Sequence, residues 1–128
     1  MRLDYDCIRD ILLTVEETTT LTKPCFINQN YREHKRLEKY DFEILAYHVN
    51  QCALHDYFTE IEFCDGWNSK IIDLSPKGHE YIANIRSDTV WKKAKSVISQ
   101  IGGVALSMVP EVVSPILSSQ IQNLINGG

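Results

Sequence analysis

A chain of 128 residues, 44% hydrophobic and 23% charged, suits one compact domain with an appendage and can bury a core of its own. Its formal net charge of −4 weighs against a uniformly basic nucleic-acid binder and leaves only local basic patches as candidates. The N-terminal residues lack a positive segment followed by an apolar run, so neither a secretory signal nor a membrane anchor is expected, and the expected location is the cytoplasm.

In chain order, Leu3, Cys7, Ile8, Ile11, Leu12 and Val15 recur at three and four residues and predict a first helix over about 4–17, opened by Asp4 or Asp6. The β-branched run Thr18-Thr19-Thr20 favours extended backbone and ends it. Lys23 to Ile27 reads as a short strand pairing with a later hairpin, confined to a sheet edge by Pro24. Residues 28–39 are polar and lack an apolar stripe, which predicts a loop with one or two helical turns.

A second helix starts at Asp41, whose carboxylate is placed to accept from free backbone amides, and carries Ile44, Leu45, Tyr47, His48, Ala53 and Leu54 at mostly helical spacing. From Tyr57 to Phe63 the pattern changes to period two, a strand. Asp65-Gly66-Trp67-Asn68 makes the turn, and Lys70 to Leu74 runs back beside that strand. Ser75-Pro76 repeats the chemistry of a helix start, and that helix continues through Tyr81, Ile82 and Ile85. Helix, two-stranded hairpin and helix in this order outline the second half of a winged helix-turn-helix, with the helix usually placed at 28–39 degenerate. The predicted fold class is therefore mainly α with a small β-hairpin, α+β.

Residues 1–86 form this winged-helix-like domain, and 87–126 a C-terminal helical extension. Val90, Trp91, Ala94, Val97, Ile98 and Ile101 make one amphipathic helix, ended by Gly102-Gly103. Residues 104–125 are the most apolar part of the chain. Glu111, Pro110, Pro115 and scattered serines count against a membrane-spanning helix, so no membrane partner is expected. Val109, Val113, Leu117, Ile121 and Leu124 lie at helical spacing and are candidates for homodimerisation or partner binding, with folding back onto the protein's own core and, third, a membrane-active tail as the alternatives. Gly127-Gly128 reads as a frayed end.

Four separated segments carry a resemblance: Met1 to Leu13, Ala46-Tyr-His-Val, Leu74-Ser-Pro-Lys-Gly-His-Glu-Tyr-Ile and Ile85-Arg-Ser-Asp-Thr-Val-Trp. Together, over roughly residues 1–95, the chain resembles a family of small uncharacterised proteins of bacteria, their phages and prophages, with a winged-helix-like core. The resemblance implies that fold and a phage or prophage setting, and no catalytic residue. Where the family pattern has a Gly-Leu step after the central helix, this chain has His55-Asp56-Tyr57, which implies a different exit angle for the wing.

Cys7, Cys25, Cys52 and Cys64 are widely spaced, with no Cys-x-x-Cys pair and no histidine at zinc spacing, so in a reducing compartment they read as buried thiols rather than metal ligands. No nucleophile stands in an activating motif, and there is no P-loop or Gly-x-Gly-x-x-Gly, so neither catalysis nor a cofactor is expected. His48 reads as a packed core histidine and His79 as an exposed polar residue. If the central helix reads double-stranded DNA, its outward Tyr47, Asn50 and Gln51 face the bases beside Glu43. Arg32, Lys35, Arg36 and Lys39 before it, Lys70 on the wing and Lys77 on the next helix would then hold phosphates. Against this, residues 41–56 contain no Lys or Arg, although arginine supplies the commonest base contact. Two functions stay open: a DNA-binding transcriptional regulator, and an adaptor or inhibitor that engages a host or phage protein without DNA.

Overall fold

Helix α1 spans Tyr5–Thr18 in the computed structural model, which describes residues 1–127. Asp4 is its N-cap, its carboxylate accepting from the Cys7 N–H at 3.2 Å. Of the predicted stripe, Cys7, Ile8, Ile11, Leu12 and Val15 are fully buried, while Leu3, which precedes the helix, is half-buried. The threonine run ends the helix through its hydroxyls: Thr18 and Thr19 donate to the carbonyls of Thr14 and Val15, both at 2.7 Å, and so satisfy groups the helix end leaves open.

Strand β1, Cys25–Ile27, follows immediately after Pro24, with Cys25 and Ile27 inward and Phe26 exposed. Residues 28–39 hold a single 3-10 turn, Tyr31–Glu33, and further turns. The segment is fastened rather than helical: Tyr31 Oη donates to the Tyr40 carbonyl at 2.7 Å, and Leu37 is buried.

Helix α2 is Phe42–Leu54, and its buried stripe is Leu45, His48, Val49 and Cys52, flanked by Ala46. This corrects the stripe read from the sequence, because Leu54 is exposed and Ile44 and Tyr47 are half-buried. Spacings of three, four and seven from Leu45 select Val49 and Cys52, which put the strip squarely under one face. Asp41 is the N-cap as predicted, yet its side chain makes no capping bond.

The chain leaves α2 through Asp56, whose φ of +61° is left-handed, a conformation that short Asp tolerates better than most residues. Strand β2, Phe58–Phe63, and strand β3, Ser69–Leu74, pair antiparallel, and β3 also pairs with β1 to give the order β1-β3-β2. A register irregularity around Glu60 breaks the period-two reading of β2: Phe58 is buried, and Ile61 rather than Glu60 or Glu62 is next to turn inward. Helix α3, Pro76–Ile85, begins as predicted, with Ser75 Oγ accepting from the Gly78 N–H at 3.0 Å and donating to the Asp56 carbonyl at 2.5 Å. Gly78 is required there, since a Cβ would collide with the Tyr57 carbonyl oxygen.

The fold is α+β. The chain divides into two compact units, Met1–Glu80 and Tyr81–Gly128, the boundary falling inside α3. In the second unit α4, Asp88–Ile101, is capped by Ser87, buries Val90, Trp91, Ala94 and Ile98, and ends at Gly102 in the left-handed region, φ +94°. Its partner α5, Val109–Ile125, follows a 3-10 turn at Leu106–Met108 and packs against α4. Leu106, Val109 and Val113 are buried, whereas Ile121, Leu124 and Ile125 are exposed.

Candidate binding groove on the central helix

Positions 42, 43, 46, 47 and 50 follow one another along one side of α2 at steps of one and three. Here that side is partly roofed. Phe42, Glu43, Ala46, Tyr47 and Asn50, together with Met1 and the hairpin-tip residues Gly66 and Trp67, line a groove of about 350 Å³.

The hairpin tip reaches this position through two consecutive left-handed residues, Gly66 at φ +71° and Trp67 at φ +64°. Glycine adopts that conformation freely; a bulky aromatic side chain there is strained. The turn is held by the Asn68 amide donating to the Asp65 carbonyl at 3.0 Å and by the Cys64 N–H donating to the Asn68 carbonyl at 2.7 Å. Trp67 meets Phe63 edge to face, centroids 5.4 Å apart, and is 54% exposed. On the opposite wall Tyr47 stands edge-on to His48 at 5.1 Å, and its hydroxyl reaches the Met1 carbonyl at 3.4 Å. His48 fixes that wall from behind: buried, it donates from Nδ1 to the Ile44 carbonyl at 2.7 Å and accepts at Nε2 from the Asp4 N–H at 2.8 Å.

The predicted DNA-contacting residues are not gathered into one surface. Tyr47 and Asn50 line the groove; Gln51 is half-buried outside that lining. Arg36 is engaged by Glu17, with Nε at 3.1 and 3.2 Å and Nη2 at 2.6 Å from its carboxylate. Lys39 Nζ lies 3.0 Å from Asp10 Oδ2, and the same oxygen accepts from Tyr40 Oη at 2.6 Å. Arg32 lies over the Tyr31 ring at 4.8 Å and Lys77 over the Tyr57 ring at 5.9 Å. Lys35 is exposed, and Lys70 stands on β3 opposite Glu62 of β2 and Phe26 of β1. None of these cations lines the groove, whose one charged side chain is Glu43. Sequence reasoning missed Phe42, Ala46 and above all Trp67; an aromatic residue directly after a turn glycine was the available signal.

A family model described as "Hypothetical protein (DUF2513)" matches residues 2–105. The chain belongs to that family. The match takes in every groove residue of this DUF2513 member except Met1 and ends before α5. No curated protein and no solved structure matches the chain.

Elsewhere in this DUF2513 chain three buried thiols and two buried tyrosines are held neutral. Burial pushes the Cys7 and Cys52 thiols far up, and that of Cys25 up as well, leaving them as protonated packing groups rather than nucleophiles. Burial also pushes Tyr57 up to about 12, and burial with the bond to Asp10 raises Tyr40 strongly. Cys64 alone among the four is exposed, which corrects the reading of all four as buried thiols: it stands between the end of β2 and the hairpin turn, outside the core. Among the described residues no set of three His, Cys, Asp or Glu could hold a metal, and no helix is long and apolar enough to cross a membrane. Of the candidate association residues, Val109 and Val113 are buried, Leu117 is half-buried, and Ile121 and Leu124 are exposed.

Proposed function

We propose that this protein is a non-enzymatic regulator that uses a winged-helix scaffold to bind another protein, of the host or of a phage, rather than to read DNA. The observation that carries this reading is the outward face of α2: where a DNA reader needs open polar and cationic side chains, this face offers an aromatic groove roofed by the hairpin tip. Residues 41–56 contain no Lys or Arg, and the two basic side chains nearest in sequence, Arg36 and Lys39, already bind Glu17 and Asp10. Phosphate contacts would first have to break those pairs. The buried, protonated thiols suit a reducing compartment, so the protein acts in the cytoplasm, in a phage or prophage setting. The exposed apolar end of α5 supplies a homodimer contact.

A second reading, transcriptional regulation through DNA, draws on the order helix, strand, turn, helix, strand, strand and on the sheet order β1-β3-β2, which fit a winged helix with a wing at residues 64–68. Arg32, Lys35, Lys70 and Lys77 remain as its electrostatic basis. Anisotropy of a labelled random duplex, measured at low and at physiological salt, separates the two. Protein binding predicts no steeply salt-dependent association; a steep dependence that Lys35→Glu and Lys77→Glu abolish would establish the DNA reading instead.

A further inference from the structure

We infer that the groove between α2 and the β2–β3 tip docks a partner segment that presents one aromatic or long aliphatic side chain flanked by lysine or arginine. This rests on the protein-binding reading above and specifies its partner.

The groove is sized and lined for an apolar side chain. Phe42, Ala46, Tyr47, Trp67 and Met1 surround about 350 Å³, enough for one large side chain, and both Met1 and Trp67 are more than half exposed. The rim is polar. Glu43 is in the lining, Asp41 lies one residue before Phe42, and Asp65 one before Gly66; all three are exposed. None of the three has an ion-pair partner among the described residues. The Met1 α-amino group lies in the lining and Arg2 is next to it in sequence, so the three carboxylates still outnumber the two cations nearest the groove. A cationic partner complements that rim, whereas nucleic acid and acidic peptides are repelled by it.

A separate observation gives the groove its functional reading. Trp67 occupies a left-handed position at φ +64° that glycine or asparagine would fill without strain. Its indole is 54% exposed, so the fold gains little burial in return. Strain kept at an exposed aromatic residue is accounted for by contact with something outside the chain.

The test pans a displayed library of random short peptides against the full chain, then measures fluorescein-labelled selected peptides by anisotropy on wild type, Trp67→Gly and Glu43→Lys. Peptides sharing an aromatic or aliphatic residue with neighbouring Lys or Arg are expected, and each variant should weaken them by about tenfold or more. Trp67→Gly should lose that binding with a melting temperature equal to or above wild type, which a merely structural tryptophan would not allow. Selected peptides without basic residues, or peptides that bind both variants as tightly as wild type, overturn the groove assignment and leave protein binding standing. No peptide above background also overturns it, and if the chain then binds random duplex with a steep salt dependence, the protein-binding reading falls with it. Self-association that Trp67→Gly abolishes would identify a second copy as the occupant and refute a basic partner.

Discussion

The backbone N–H of Asp4 donates to Nε2 of His48 at 2.8 Å, across 44 residues of sequence. The residue that caps α1 is thereby tied to the inward face of α2, and the other ring nitrogen is engaged by the Ile44 carbonyl at 2.7 Å. Both ring positions are therefore structural, as a packed core histidine requires. Replacing His48 by Ala leaves a part-buried amide unpaired and opens a cavity behind Tyr47, and should cost about 2–4 kcal/mol. Urea denaturation measures it. A loss below about 0.5 kcal/mol would mean that water replaces the ring without penalty, and the tie would then not organise the helix pair.

The Asp10 carboxylate holds two partners of unequal weight. Tyr40 Oη reaches Oδ2 at 2.6 Å inside the core, while the Lys39 side chain, 62% exposed, meets the same oxygen at 3.0 Å. A buried bond to a charged acceptor outweighs a screened pair with a mobile lysine. Tyr40→Phe should therefore destabilise by about 1.5–3 kcal/mol and Lys39→Ala by no more than about 1 kcal/mol. Chemical denaturation of the two variants and the double mutant gives the order; equal losses would contradict it.

Alkaline pH should unfold the first unit earlier than its composition suggests. Cys7, Cys25 and Cys52 ordinarily ionise at 9.0, Tyr40 and Tyr57 at 10.0, and burial raises all five in the folded state. For a raised group the unfolded chain releases its proton first, so stability is complete below the ordinary value and declines as pH rises toward the folded one. The window opens near pH 9 for the thiols and near pH 10 for the tyrosines, with a slope of about 1.4 kcal/mol per pH unit for each group. Stability measured from pH 7 to 11 should fall steeply, and Cys52→Ala should flatten the onset even while lowering the plateau. A flat profile to pH 11 would show that these groups ionise without unfolding.

What the sequence revealed depended on whether a signal was local. Asp4, Ser75-Pro76 and Gly102 each sit at the helix end their chemistry predicts, because capping is settled within four residues. Edge placement of β1 followed from Pro24 in the same way. The inward stripe of α2 was misassigned because Tyr47 and Leu54 are as apolar as Val49 and Cys52, and only the partner surface decides which side is covered. Period two in β2 failed at the irregularity by Glu60, which no residue type announces. The basic cluster was legible as charge, but its pairing was not: Glu17 and Asp10 lie on α1, far from Arg36 and Lys39 in sequence. The groove was the least visible feature, since it depends on where a left-handed tryptophan puts the hairpin tip.

The apolar repeat of α5 divides at its middle, and the two halves call for different outcomes. Val109 and Val113 are fully buried, so a charge at Val113 removes packing instead of testing association; Val113→Glu should unfold the second unit. Ile121 and Leu124 are 53% and 72% exposed, and residues 112–127 carry no charged side chain, so nothing there opposes a second copy of the same surface. Paired Ile121→Glu and Leu124→Glu substitutions place like charges on that surface at little cost to the isolated chain, within about 0.5 kcal/mol. Sedimentation equilibrium should find wild type associating as concentration rises and the double variant monomeric with an unchanged circular dichroism spectrum. An associated state that survives both substitutions would remove α5 from the contact, and a wild type that stays monomeric at high concentration would leave its exposed end for another protein.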